Sequence, residues 1–160
     1  MTEIWKDIDG FPKYQVSNFG RVKSSFRIER ILTPRIKNGY HALRLCRNKI
    51  PYEKYIHRLV LEAFKENPDP AKYTVCDHIN RNSMDNRLEN LRWSTPQLNG
   101  FNTNCRGYSF DKQMNKFRSF IRIDGKNVYL GSFDYSIHAR QAYLAAKKKY
   151  LNKIDPHHDY

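Results

Sequence analysis

The sequence predicts an α+β protein built from small β-sheets and a few helices. Short runs that alternate apolar and polar residues recur along the chain between turn residues, and such runs indicate half-buried strands. Helical periodicity is confined to a few stretches. Of the 160 residues, 39% are hydrophobic and 14% are aromatic, which argues against disorder. These patterns divide the chain into segments 1–48, 49–104 and 105–152, followed by a tail at 153–160.

Segment 1–48 is predicted to be a small β-rich unit. Gly20 follows shortly after Asn18 and marks a turn between short strands. The run 40–45 again alternates apolar and polar residues. Together these features predict a unit made of short strands joined by tight turns.

A helix is predicted within residues 50–66. Its apolar residues recur at helical spacing: Leu59, Val60, Ala63 and Phe64. The helix is expected to end before Pro68 and to back the strands that follow. His57 lies beside this apolar face, and we interpret it as a structural residue.

A strand pair followed by a helix is predicted between residues 74 and 99. Residues 74–76 have strand composition, and residues 91–94 alternate as a short half-buried strand does. Thr95 is a helix N-cap with Pro96 at the first helical position. The stretch 79–89 is rich in Asn, Asp, Ser and Arg, and it is predicted to be a loop.

The last segment is predicted to contain a β-hairpin and a helix. Residues 116–123 form a predicted strand, Asp124-Gly125 a turn, and residues 127–133 the partner strand. One face of the helix that follows carries Ala139, Ala142, Tyr143, Ala146 and Tyr150. The small alanines allow this helix to lie close to the sheet.

The polar side chains between 77 and 99 indicate phosphodiester hydrolysis. Hydrolysis of this anionic bond requires an activated water and a cation that neutralises the developing charge. His78 can take a proton from water near neutral pH. Asp77 and Asn99 offer a carboxylate and an amide oxygen, which suit a hard ion such as Mg²⁺ that keeps several waters. Asn90 ends the loop, where its amide can bridge backbone donors and acceptors.

The pattern Asp77-His78, then Asn90 before residues 91–93, then Asn99 resembles the HNH nuclease motif of phage homing endonucleases, a ββα-metal fold. The resemblance implies that Asp77 and Asn99 bind one divalent cation, Mg²⁺ or Mn²⁺. It also implies that His78 is the general base and that Asn90 orients the loop and the base. The implied activity is site-specific nicking or cutting of duplex DNA. Because the chain lacks paired Cys-x-x-Cys motifs, no structural zinc is expected.

The start of the chain resembles the NUMOD4-like module that often precedes HNH domains in phage homing enzymes. The matching residues are Trp5, Ile8, Tyr14, Val16, Ser17, Asn18, Gly20 and Val22. The resemblance implies a DNA-gripping or scaffold role. Arg21 and Lys23 are candidates for phosphate contacts, and an ordinary solvated surface explains each of them equally well.

Residues 106–151 are similar to the AP2 DNA-binding domain, a three-stranded sheet packed on one helix. In that family, Arg and aromatic side chains of the sheet contact the major groove of DNA. The resemblance places Arg106, Arg122 and Tyr129 at matching positions, with Lys112, Lys116 and Arg118 as nearby candidates. Phe120 and Asn127 stand where the family has a glutamate and an arginine, so the DNA sequence that this sheet reads is left open.

The formal net charge is +13, and a surplus of this size favours a polyanionic partner such as double-stranded DNA. Residues 1–50 carry 11 Lys and Arg against 4 Asp and Glu, residues 101–160 carry 11 against 5, and the stretch between them carries 7 of each. Basic flanks therefore surround a neutral centre that contains the candidate site. No apolar run is long enough to span a membrane.

The three cysteines are widely spaced, which argues against a disulfide framework and suits a reducing compartment. The first residues lack the apolar core of a secretion signal. We therefore expect a cytoplasmic protein that is not secreted. We also expect a monomer. The alternative function is that of a non-catalytic DNA-binding regulator, in which the flanks bind DNA and the centre is a spacer.

Overall fold

The computed structural model describes residues 2–154. The chain divides into two compact units, Met1–Asn99 and Gly100–Tyr160, which we call unit 1 and unit 2. The elements of unit 1 are β1 Trp5–Ile8, β2 Phe11–Ser17, β3 Val22–Ser24, β4 Arg30–Ile31, β5 Arg35–Lys37, β6 Tyr40–Arg47, β7 Ile50–Tyr55, α1 Ile56–Phe64, β8 Val75–His78 and β9 Leu91–Ser94.

Unit 1 contains small antiparallel sheets. The first has the order β1-β2-β3-β4, the second has the order β5-β6-β7, and β8 pairs with β9. Tight turns join several neighbouring strands, and a turn with Gly20 at φ +76° connects β2 to β3. The turn predicted at this glycine is present, since a positive φ suits a residue without Cβ.

One hydrophobic core serves all three sheets of unit 1. It includes Val16 and Val22 of the first sheet, Leu45 of β6, Leu61 of α1 and Leu91 of β9. Each of these five side chains is at most 1% exposed. The strands of the predicted segment 1–48 and the β8–β9 hairpin therefore pack into the same core.

Helix α1 lies where the helical periodicity predicts it. Its buried residues are Ile56, Leu59, Val60 and Leu61, and it ends before Lys65, whose N–H donates to the carbonyl of Leu61. The predicted loop 79–89 runs into a short 3₁₀ turn, Leu88–Asn90, that leads into β9. Strand β8 extends to His78 because residues 77 and 78 pair with β9.

Unit 2 contains β10 Tyr108–Asp111, β11 Lys116–Ile123, β12 Lys126–Phe133 and α3 Ser136–Ile154. The strands form an antiparallel sheet in the order β10-β11-β12. Helix α2, Pro96–Phe101, contains the boundary between the two units. The α+β fold class is confirmed, whereas the AP2 likeness of unit 2 stays a prediction.

Helix α3 packs on one face of the unit 2 sheet. Ala139 and Tyr143 of the helix are buried, as are Ser119 and Ile121 of β11. Gly107 has φ +75°, and a Cβ there would lie 2.0 Å from the Tyr143 ring. Glycine is thus required by both the backbone conformation and the close approach of the helix.

The segment predicted as a tail begins inside a helix. Residues 153 and 154 complete the last turn of α3, and residues 155–160 lie outside the described residues. Within residues 2–154, no helix combines the length and the apolar character needed to cross a membrane. Cys46, Cys76 and Cys105 are free thiols.

Candidate active site

The β8–β9 hairpin buries two polar residues at the end of its first strand. Asp77 pairs with Arg92 and His78 pairs with Leu91 across the hairpin. Asp77 and His78 are only 3% and 6% exposed. Burial of a charged or polar group is costly unless the group has partners, so the neighbours of these two side chains define the site.

Asp77 forms an ion pair with Arg92. The Arg92 Nε and Nη2 atoms donate to the same carboxylate oxygen, Oδ2, at 2.8 and 2.7 Å. Both side chains are largely buried, at 4% and 13% exposure. Cross-strand pairs of opposite charge are a general feature of antiparallel sheets, and a correct hairpin register would have identified Arg92 from the sequence. The pair holds the Asp77 carboxylate in a defined orientation.

The imidazole of His78 lies in a cluster of polar and aromatic side chains. Its Nε2 is 3.4 Å from Oδ1 of Asn86, and its ring centroid is 5.2 Å from that of His57 and 6.0 Å from that of Tyr40. Burial lowers the pKa of His78, and the Asn86 contact and the Asp77 charge oppose that shift. The neutral, proton-accepting form of the imidazole is therefore favoured near neutral pH.

Asn86 connects His78 to a residue far away in the sequence. The Asn86 side chain is buried, and its Nδ2 is 3.0 Å from Nδ1 of His41 on β6 and 3.2 Å from the carbonyl of Met84. No sequence pattern indicates a role for Asn86 or His41. Asn86 lies in a polar loop and His41 in a strand, where such residues are common. Only the packing of the chain brings them to the site.

Asn90 holds the two ends of the loop together. Its Oδ1 accepts from the backbone N–H of Asn80 at 2.9 Å, and its Nδ2 donates to the carbonyl of Asp85 at 2.7 Å. The N–H of Ile79 also donates to the Asn90 carbonyl at 2.8 Å. These are the backbone contacts through which an asparagine can pin a loop, as expected for this position.

Asn99 lies in α2, which begins directly after β9. The Oγ1 of Thr95 accepts from the N–H of Leu98 at 3.1 Å, so the predicted N-cap is present. The backbone N–H of Asn99 donates to the Thr95 carbonyl at 2.9 Å. Asn99 is half-buried. The hairpin and the helix thus form a strand–strand–helix sequence. Asp77 and His78 lie on the first strand, and Asn99 lies on the helix.

Two protein-family models match the chain. The model described as NUMOD4 motif matches residues 3–46, and the model described as HNH endonuclease matches residues 54–101. Together they cover more than half of the chain, and the second spans the whole β8–β9–α2 region. The chain contains an HNH endonuclease domain, preceded by a NUMOD4 motif.

Curated relatives carry the same family name. A protein named "Uncharacterized HNH endonuclease" of Acanthamoeba polyphaga mimivirus is 45% identical over 101 residues, which are 61% of this chain and 25% of that protein. The DNA endonuclease I-HmuI of Bacillus phage SP01 is 38% identical over 105 residues, which are 64% of this chain and 59% of that protein. The chain therefore spans from a quarter to about three fifths of these relatives.

A solved structure of the same family resembles the whole chain. It is described as "DNA binding and cleavage by the HNH homing endonuclease I-HmuI", with a TM-score of 0.58 and 27% sequence identity. The match covers 98% of this chain and 94% of that chain. The predicted resemblance to HNH endonucleases, with a NUMOD4 motif before the HNH domain, is confirmed.

The donor set of the HNH domain fits a hard divalent ion. The Asp77 carboxylate and the Asn99 amide supply oxygen donors, and ions such as Mg²⁺ bind through few protein oxygens while retaining waters. Among residues 2–154, no group of three or more His, Cys, Asp and Glu side chains is placed to hold an ion. The metal role of Asp77 and Asn99 thus stays a prediction based on the chemistry of these two residues.

His57 contributes a second imidazole to the HNH domain. In the described part of the chain its Nδ1 is a buried atom without a hydrogen-bond partner, and its ring lies against those of Tyr40 and Tyr55. Burial, followed by the neighbouring His78 and Arg58 charges, lowers the pKa of His57 to about 4. A neutral ring at this position adds no positive charge beside His78.

The two cations predicted in the NUMOD4 region both pack against Trp5. The Arg21 guanidinium is 5.8 Å from a ring centroid of Trp5 and pairs with Glu3. The Lys23 ammonium is 4.7 Å from a ring centroid of Trp5 and 3.2 Å from a Glu29 carboxylate. Their charges are partly compensated within the protein, and their DNA-binding role stays a prediction.

The residues predicted in unit 2 lie mainly on its sheet. Arg118 and Arg122 alternate with the buried Ser119 and Ile121 along β11, and they therefore lie on the sheet face opposite α3. Tyr129 is the β12 partner of Phe120, and it is 53% exposed. This open face thus combines cations with an accessible aromatic ring.

Arg118 is held over two aromatic rings of the open face. Its guanidinium is 5.3 Å from the Phe120 centroid and 5.8 Å from the Tyr129 centroid, and it donates to Asp111 at 3.2 Å. Lys116 at the start of β11 pairs with Asp134 at 3.4 Å. Arg106 precedes β10 and is exposed. The sheet thus brings Arg118, Arg122 and Tyr129 together, with Lys116 at the strand end and Arg106 outside the strands.

Proposed function

We propose that the chain is a metal-dependent, site-specific DNA endonuclease of the homing type, which hydrolyses a phosphodiester in duplex DNA. The main support is the burial of the consecutive residues Asp77 and His78 at the end of β8 in an HNH domain. The relative I-HmuI is described as a DNA endonuclease, and its structure as that of an enzyme that binds and cleaves DNA. The net charge of +13 supports DNA as the partner.

In this mechanism His78 is the general base. Its pKa is lowered by burial, so its imidazole is neutral near physiological pH and can accept a proton from the attacking water. Asn90 keeps the loop closed beside β8 through its contacts to Asn80 and Asp85. These contacts fix the backbone that follows His78, and a proton transfer over hydrogen-bonding distance requires such positioning.

Asp77 and Asn99 would hold the divalent ion, Mg²⁺ or Mn²⁺. When bound, the ion supplies positive charge for the phosphate and for the departing 3′ oxygen. Arg92 restrains the Asp77 carboxylate through Oδ2. The protein thus orients the oxygen donor by placing a guanidinium beside it.

The basic residues at the two ends of the chain would bind the DNA backbone and the base edges. The candidates are Arg21, Lys23, Arg106, Lys116, Arg118, Arg122 and Tyr129. The open face of the unit 2 sheet supports a binding role, because Arg118, Arg122 and Tyr129 lie on it together. The monomeric state and the cytoplasmic location are proposals that rest on the sequence alone.

Cleavage of a bound plasmid tests the proposed function. Duplex sites selected from a random library by binding to the protein are cloned into a supercoiled plasmid, which is incubated with Mg²⁺ or Mn²⁺, with and without chelator. We expect nicking or linearisation that the chelator abolishes. Asn99→Ala should remove this activity, whereas Asn99→Asp, which retains an oxygen donor, should retain part of it.

The same assay separates the nuclease from a DNA-binding regulator. A regulator would bind the selected plasmid tightly and leave it supercoiled with either ion. Tight binding without any cleavage by the wild-type protein would therefore contradict the proposal. Equal activity of wild type and Asn99→Ala would contradict the metal role of Asn99 only.

A further inference from the structure

The contacts of Asn86 fix the orientation of its side-chain amide. The Met84 carbonyl can only accept a hydrogen bond, so the Asn86 atom 3.2 Å from it must be the donor Nδ2. The same Nδ2 is 3.0 Å from Nδ1 of His41, which therefore acts as an acceptor. The Asn86 Oδ1 is left facing His78 at 3.4 Å from Nε2.

This orientation determines the tautomer of His78. An amide oxygen is an acceptor only, so the His78 nitrogen that faces it must carry the hydrogen. In the neutral ring, protonation of Nε2 places the basic lone pair on Nδ1. The separation of 3.4 Å is at the long end of the hydrogen-bonding range, so the alignment depends on how firmly the other two contacts hold the Asn86 amide.

Two turns that precede the HNH domain in the sequence also contact the loop that carries Asn86. Gly20 approaches Asn86 so closely that a Cβ at position 20 would lie 2.7 Å from the Asn86 Cβ. The Leu88 N–H donates to the Asn18 carbonyl at 2.8 Å, and the Ser83 hydroxyl donates to the Gly39 carbonyl at 2.7 Å. The loop therefore contacts both the β2–β3 turn and the β5–β6 turn.

We infer that Asn86 is a positioning residue for His78, and that His41, from the NUMOD4 region, is a second positioning residue that orients the Asn86 amide. This inference rests on the proposed role of His78 as the base. It gives the first segment a function beyond DNA contact, since β6 supplies one of the two acceptors that hold the Asn86 amide, and with it the tautomer of the base. Neither Asn86 nor His41 contacts the reacting atoms in this scheme.

The test uses near-isosteric variants at position 41. His41→Leu removes the acceptor, and His41→Asn restores an acceptor oxygen close to the former Nδ1 position. Ser83→Ala is the matched control, because it removes another contact between the loop and the β5–β6 turn without involving Asn86. Asn86→Leu removes both the contact to His78 and the contact to His41. The full chain is used throughout.

The first measurement is the two-bond ¹H–¹⁵N correlation spectrum of the His78 ring at mildly alkaline pH, where imidazole is neutral. We expect the Nε2–H tautomer in the wild type, in His41→Asn and in Ser83→Ala, and a mixture of tautomers in His41→Leu and Asn86→Leu. An Nδ1–H tautomer in the wild type would overturn the inference. This readout needs no cleavage, so it remains decisive if the proposed nuclease activity fails.

The second measurement is single-turnover cleavage at saturating metal and saturating enzyme, together with the dissociation constant for DNA. His41→Leu should lower the cleavage rate by roughly 10- to 100-fold, the range seen when a supporting residue behind a site is lost, with little change in DNA binding. His41→Asn should recover most of the rate. Equal losses in His41→Leu and Ser83→Ala, or no recovery in His41→Asn, would show a merely structural contact and reject the inference. If Asn86→Leu does not fold, the comparison of His41→Leu with His41→Asn still tests the inference.

Discussion

The candidate active site of unit 1 and the open sheet face of unit 2 place polar side chains in opposite environments. In unit 1, Asp77, His78 and Asn90 are each at most 6% exposed, and hydrogen bonds fix each of them. In unit 2, Tyr129 is 53% exposed, and Arg118 is held by two rings and one carboxylate. The first arrangement suits chemistry on one bond, and the second suits contact with an extended partner.

The difference predicts two separable mutational signatures. A buried side chain with fixed partners is oriented before the substrate arrives, so its loss should affect the reaction step. An exposed cation over aromatic rings can adapt to a partner surface, so its loss should affect binding. The distinction would be wrong if variants of the unit 1 site weakened DNA binding and left the cleavage rate unchanged. It would also be wrong if variants of the unit 2 face slowed cleavage and left DNA binding unchanged.

The largest effect is expected for His78→Ala. Loss of the general base should reduce single-turnover cleavage roughly 10²- to 10⁴-fold, and it should leave the dissociation constant for DNA nearly unchanged. His138→Ala is the matched control, because His138 is an exposed histidine of unit 2. A parallel loss of binding and cleavage in His78→Ala would contradict the role of base.

Asn90→Ala should affect both the fold and the reaction. The variant leaves the Asn80 N–H and the Asp85 carbonyl without their side-chain partner. We expect the free energy of unfolding to fall by roughly 1–3 kcal/mol, together with a slower cleavage rate, as measured by urea unfolding and by the plasmid assay. The control Asn82→Ala, at an exposed local turn contact to Met84, should change the free energy of unfolding much less.

Tyr129→Ala should weaken DNA binding without slowing the reaction step. Loss of the ring removes one of the two aromatic neighbours of Arg118, and we expect roughly a tenfold rise in the dissociation constant, about 1.4 kcal/mol. Tyr129→Phe keeps the ring and loses only the hydroxyl contact to Ser132, so it should bind almost as the wild type does. Unchanged binding in Tyr129→Ala would remove this face from the DNA-binding surface.

The smallest effect concerns the pH dependence of stability through His57. Its pKa in the folded protein is about 4, below the ordinary value of 6.5, so the unfolded chain binds a proton at His57 more readily than the folded protein does. The stability associated with the neutral ring is therefore complete above 6.5 and is lost as the pH falls towards 4.

His57→Phe should reduce this acid sensitivity. Urea unfolding at pH values on either side of 6.5 should show a smaller loss of stability for the variant than for the wild type. Part of the loss should persist in His57→Phe, because the pKa of His78 is also lowered. An identical pH dependence in the two proteins would indicate that His57 is not buried in solution as it is in the structure.

Local signals in the sequence predicted the strand, loop, strand and helix that carry the candidate site. Thr95 and Pro96 identified the start of α2, and the alternation in residues 91–94 identified β9. These signals are local because caps and strand alternation depend on neighbouring residues alone. The polar composition of residues 79–89 likewise identified a loop, although not the 3₁₀ turn at its end.

The partners of the site residues were not predictable in the same way. Arg92 reaches Asp77 only through the register of the hairpin, and His41 reaches Asn86 across 45 positions of sequence. The first contact depends on the register of two strands and the second on the packing of β6 against the loop, and local sequence signals give neither. The prediction of segment 1–48 as a β-rich unit also did not indicate that its strands share a core with the β8–β9 hairpin.

The sequence by itself determined the α+β class, the basic character of the chain and the four polar residues Asp77, His78, Asn90 and Asn99 of the HNH pattern. These features depend on composition, on short-range periodicity and on residue types at fixed spacing. The tertiary structure alone decided which groups orient them: Arg92 beside Asp77, and Asn86 with His41 beside His78. The physical reason is that a hydrogen bond requires an approach to within about 3 Å, and only the register of the hairpin and the packing of β6 against the loop bring those atoms so close.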